Sequence, residues 1–147
     1  MRYSLCIEGV NGKIDITKNS EVIKKINIKV FQNDKSANDR SEQLFGELTI
    51  CGLLNEKSQN ATKEIFEWSK KTDKASVYKT VSIQVYNQQE LLRDYYLKDM
   101  YCTSYEEIFD EYTNQSSDNE VAKDSIGSFV LKMKQRNGSI ETIVVEC

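Results

Sequence analysis

Alternation of apolar and polar positions dominates this chain and predicts strands along most of its length. Residues 4–8 and 13–17 form two short strands around Gly9 and the Asn11-Gly12 pair, a dipeptide that suits a tight turn. From Glu21 onward Ile26, Ile28 and Val30 fall on one side and Lys25, Asn27 and Lys29 on the other. Period-2 spacing of this kind predicts one buried and one wet face. Residues 44–54 repeat the pattern, with Leu48 and Ile50 set against Glu47 and Thr49, and with Gly46 and Gly52 permitting a bend or a bulge.

The period changes once. Over residues 60–72 Ala61, Ile65, Trp68 and Thr72 share a helical face, Lys63, Glu67, Lys70 and Lys71 lie elsewhere, and Ser58 or Asn60 can cap the start. Trp68, three residues after Ile65, is expected to plug this helix onto the sheet. Strand spacing then resumes at 77–86, where Val77, Val81, Ile83 and Val85 alternate with Tyr78, Thr80, Ser82, Gln84 and Tyr86. A turn at 87–90 returns the chain through a strand at 91–105, the simplest account being a hairpin. A second hairpin is expected from 129–134 and 140–145 around Asn137-Gly138.

Between these elements lie polar stretches. Residues 33–41, NDKSANDRS, hold nothing that could occupy a core and form a long loop, a candidate contact arm carrying Asp34, Lys35, Asp39 and Arg40. The acidic run Glu106, Glu107, Asp110 and Glu111 lacks the spacing of a calcium loop and predicts a solvated turn or short helix. Residues 114–125 predict a flexible loop. With no proline anywhere, no strand loses a backbone donor.

Composition narrows the function. The 147 residues suit one domain, and a net charge of −3 offers no basic field for nucleic acid. The lysine clusters at Lys24, Lys25 and Lys29 and at Lys70, Lys71 and Lys74 are read as solvated faces. Neither a signal-peptide h-region nor a membrane-spanning apolar run is present, so a cytoplasmic product is expected, leaving the cell, if it does, without the general secretory signal. Cys6, Cys51, Cys102 and Cys147 stand far apart, and the expectation is small buried hydrophobes rather than metal ligands. Histidine is absent, which removes the commonest general base and disfavours an enzyme.

The order of these elements resembles the Hcp tube proteins of type VI secretion systems and the related tail-tube proteins of contractile phages. The segment SLCIEGVNG at 4–12 is similar to that family's opening strand and turn. Ile65 and Phe66 match a Leu-Phe pair in its helix, and Tyr96-Leu97-Lys98-Asp99, preceded by Tyr95 in YYLKDMYCTSY at 95–105, completes a match to a Tyr-x-Leu-x-Asp strand signature. The resemblance covers most of the chain. It implies an antiparallel β-barrel of two packed sheets with one helix alongside, needing no cofactor. It also implies six copies closed into a ring, rings stacked into a tube, and sheath, baseplate, spike and effector proteins as partners. A monomeric small β-barrel that binds a ligand is the alternative, although the strands supply enough Val, Ile and Leu to fill such an interior.

Overall fold

The computed structural model describes residues 1–10, 12–32, 44–109, 125–136 and 144–146. Eight strands run in the order β1 (Arg2–Gly9), β2 (Gly12–Ile16), β3 (Ile23–Gln32), β4 (Leu44–Leu54), β5 (Lys79–Asn87), β6 (Glu90–Phe109), β7 (Gly127–Gln135) and β8 (Val144–Glu146). Helix α1 (Gln59–Ser69) and the single turn α2 (Lys74–Val77) lie between β4 and β5, and a 3₁₀ turn at Lys18–Ser20 precedes β3.

All pairings are antiparallel, and the main path is β2-β1-β5-β6-β7-β4-β3, with β8 also on β6. The fold is therefore mainly β with one principal helix, as the spacing predicts. Closure is the difference from a barrel. Among the described residues the ladder stays open, leaving β2 and β3 at its two ends.

The 20-residue strand β6 makes two layers out of one path. Its first half pairs with β5, from Asn87 opposite Glu90 to Lys79 opposite Met100, and its second half pairs with β7, from Met100 opposite Gln135 to Phe109 opposite Gly127. The strand changes partners at a bulge where Asp99 takes a φ of 57°, and a further register shift follows between Cys102 and Ser104. An extra residue bends a strand and increases its twist. Both inner faces thus meet in one core. Leu5, Ile7, Val81, Ile83 and Leu97 come from one half and Leu48, Ile50, Phe129, Leu131 and Met133 from the other, all in a single buried cluster. Side chains fill this interior.

Helix α1 buries Ala61, Thr62, Ile65 and Trp68, and the Trp68 Nε1–H donates to the Val77 carbonyl at 2.9 Å. The expected plug is in place, but the helix stops at Ser69, and Thr72 is exposed beyond it. Ser58 holds the N-cap position without a side-chain bond into the first turn. Its hydroxyl instead donates to Leu53 O at 2.7 Å and accepts from Asn55 N at 2.9 Å, which anchors the helix start to the end of β4.

Three further expectations change. Glu106 and Glu107 extend β6 instead of leaving it, paired with Val130 and Phe129; as neighbours they point to opposite faces, Glu106 to solvent and Glu107, on the face of Tyr105, into the groove beside α1. The described part of the last strand lies on β6, with Tyr96 opposite Val144, rather than against β7. It thus extends the line of β7 along one edge of β6, where a β7–β8 hairpin is expected from the sequence. Ser125, assigned to a polar loop, is fully buried. Residues 33–41, Asp110, Glu111 and the Asn137-Gly138 pair fall outside the described residues.

Candidate assembly surface

Two regions present what a free subunit would rather cover. The first is the open edge formed by β3. Its alternation is as predicted, but Ile26 and Ile28 are only half-buried against the core and Val30 is 51% exposed. Lys24 and Lys25 are exposed beside them, at a register shift opposite Cys51 and Gly52. An edge strand with an incompletely covered apolar row and lysines is an available pairing surface guarded by charge.

The second region is a groove of ≈ 490 Å³ between α1 and the end of β6. Phe66, Phe109 and Ile126 stand open in it, with Phe109 65% and Ile126 63% exposed. Phe66 sits one position off the Ala61, Ile65, Trp68 stripe, so the helix turns it outward. Behind it the rings run into the core: Phe66 meets Tyr105 edge-on at 6.0 Å, and Tyr105 meets Phe129 at 6.1 Å. Large apolar groups gathered on one rim mark interaction sites more often than groups scattered singly.

Polar atoms around the groove have an unfilled capacity. Asn55 Nδ2 is buried with no hydrogen-bond partner among the described residues, and the buried Tyr105 hydroxyl faces Glu107. Burial, and then the charge of Glu107, raises the Tyr105 pKa above the usual phenol value. Glu56, Lys63, Glu67 and Glu107 line the groove as well. Lys70 lies 5.6 Å from the Phe66 ring and 3.2 Å from Glu67, both ends exposed and the pair accordingly worth little.

The residues singled out as a contact arm, Asp34, Lys35, Asp39 and Arg40, lie outside the described residues. The structure describes the strands that carry them, down to the Gln32–Leu44 pair. Phe109 and Ile126 carry no mark in the sequence pattern. Their signal was weak: apolar residues beside acidic or polar runs, with no partner in the inward register.

The cysteines depart from expectation. Cys6, Cys51 and Cys102 are free thiols of intermediate exposure rather than fully buried: Leu5 and Ile7 take the inward positions on either side of Cys6, and Cys102 packs partly buried against the core. Burial first, and then Asp15 across the ladder, pushes the Cys6 thiol up to about 12. Cys147 lies outside the described residues. Among the described residues, no group of three His, Cys, Asp or Glu is placed to hold a metal ion. No described helix is long and apolar enough to cross a membrane.

No family model and no curated protein matches the chain. Solved structures do. Hcp1 from Flavobacterium johnsoniae superposes with a TM-score of 0.58 at 15% identity, over 99% of this chain and 94% of that one. This is the Hcp-like tail-tube fold. The Hcp-like fold also appears in the 6-fold symmetrised cryo-EM structure of the anti-feeding prophage (AFP) baseplate, at a TM-score of 0.53 and 11% identity over 99% of this chain and 92% of that one. A chain of the extended PVC sheath–tube complex, an extracellular contractile injection system, matches at a TM-score of 0.51 and 13% identity, over 99% of this chain and 88% of that one. Within the Hcp-like fold the Tyr96-Leu97-Lys98-Asp99 signature falls at the bulge where β6 changes partners.

Proposed function

We propose that this chain is a tube subunit. Copies dock head to tail into a closed ring of six, rings stack into a hollow tube, and cargo passes through the lumen. Sheath, baseplate, spike and effector proteins are the partners of that assembly. The observation that carries the reading is the likeness over 99% of the chain to Hcp1, joined to a strand path that ends on two edges. A heterologous contact that closes on itself uses such edges without forming an open fibre. The groove at Phe66, Phe109 and Ile126 supplies a second surface for a neighbour. In this reading Asp34, Lys35, Asp39 and Arg40 of the 33–41 segment reach toward an adjoining subunit.

The chain is read as a building block rather than an enzyme, because it holds no histidine and its interior is packed with side chains. Negative-stain microscopy tests the proposal. Doughnut-shaped particles that stack at high concentration are expected, and a field of single compact particles at every concentration would refute it.

A further inference from the structure

Lys79 opens β5 and is only 8% exposed. Its stem crosses Gly9 so closely that a Cβ there would stand 2.7 Å from Lys79 Nζ. The glycine makes room for the lysine. The ammonium lies 6.0 Å from the centre of the Trp68 ring, at the outer limit of a useful cation–π contact. Among the described residues the structure shows it no hydrogen bond and no ion pair. Its nitrogen is not among the fully enclosed polar atoms, so it opens onto the neighbouring groove and can take an acceptor from outside the chain.

Lys79 lines a groove of ≈ 760 Å³ between the β1–β2 hairpin and α1. Lys13, Lys63 and Lys71 also line it, facing Glu64 and Glu67. Glu67 is already paired at 3.2 Å with Lys70, and Lys13 lies 3.8 Å from Glu8 and 3.9 Å from Asp15. Burial is the largest influence on Lys79 and lowers its pKa, Glu64 opposes that shift, and Lys71 adds to it. Lysines thus outnumber acids around a largely covered cation with no ion pair among the described residues.

We propose that this groove binds an oxyanion, a carboxylate or phosphate group, accepted by Lys79 Nζ at its floor and by Lys63 and Lys71 at its rim. Such a group is either free in solution or an acidic side chain of a second copy of this chain. The site is independent of the tube reading, since it stands on Lys79 and not on the strand edges.

Trp68 is the chain's single tryptophan and reports on the site directly. Inorganic phosphate titrated into the full chain at constant ionic strength is expected to change its fluorescence saturably. The change should be about tenfold weaker in Lys79→Met, which keeps the stem and removes one charge-assisted hydrogen bond. Lys63→Gln with Lys71→Gln, both at exposed positions, is a second variant that should also weaken it. If the occupant is a second copy, phosphate instead dissociates the associated protein and Lys79→Met weakens association, measured by native mass. Two results would overturn the proposal: a response of equal strength in wild type and Lys79→Met, or no saturable response together with unchanged association in that variant.

Discussion

Gln135 donates its side-chain amide from Nε2 to the Lys98 carbonyl at 3.0 Å, across from the last pair of β7 to the bulge in β6. The next backbone N–H, that of Arg136, donates to Asp99 O at 2.9 Å. Two carbonyls turned out of the ladder are thus satisfied by consecutive residues. Gln135 is 1% exposed, so nothing else replaces its donor cheaply. Gln135→Leu should lower stability by about 1–3 kcal/mol, the usual result of leaving a buried acceptor unpaired. Urea unfolding would show this as a lower midpoint with an unchanged slope, and an undiminished midpoint would contradict the role given to the bulge.

Gly52 should not tolerate a side chain. Its Cβ would stand 2.6 Å from two atoms of the Phe129 ring, and Phe129 is fully buried. Gly52→Ala should cost about 1–3 kcal/mol as an overpacked core site. The sequence shows a glycine in a strand, whereas the need for it comes from a ring 77 positions later and is visible only after folding.

What was legible in the sequence follows that division between near and distant causes. Alternation placed Leu48, Ile50, Val81 and Ile83 inward correctly, because a strand's faces are set by local spacing. Trp68 could be placed as a plug from its interval to Ile65. Distant partners were out of reach of spacing. Whether Val30 is covered depends on β3 ending the path, and whether Glu106 and Glu107 leave the sheet depends on β7 arriving beside them. Likewise the last strand's choice of β6 over β7 is a competition between two neighbours. Of the three open apolar side chains in the groove, only Phe66 is marked by the sequence, through its pairing with Ile65.

Stability should fall on the alkaline side. Burial raises the pKa of Cys6 to about 12, with Asp15 adding to it, and burial also raises those of Cys102 and Tyr105. Each group is kept neutral by the fold. Its contribution is complete below the unfolded pKa, about 8.5 for a thiol and about 10 for a phenol, and is lost as pH rises toward the folded value. Urea midpoints should therefore hold from pH 7 to about pH 8.5 and then decline. Tyr105→Phe should remove part of the decline above about pH 10, and a midpoint that rose through this range would contradict the sign.

Phe109 separates folding from association. At 65% exposure its replacement by serine should change stability by no more than about 0.5 kcal/mol, the range for an ordinary surface site. If the groove it lines is covered by a neighbour, the same change should weaken self-association by about tenfold or more, the loss of a buried aromatic anchor. Sedimentation at several concentrations would read both the mass and the midpoint of assembly. Equal association by Phe109→Ser and the parent would remove the groove from the contact surface.

The mass of the native particle tests the central claim most directly. Light scattering coupled to size exclusion should give a species of about six times 17.0 kDa if six copies close into a ring. A single species of 17.0 kDa at every concentration would contradict it.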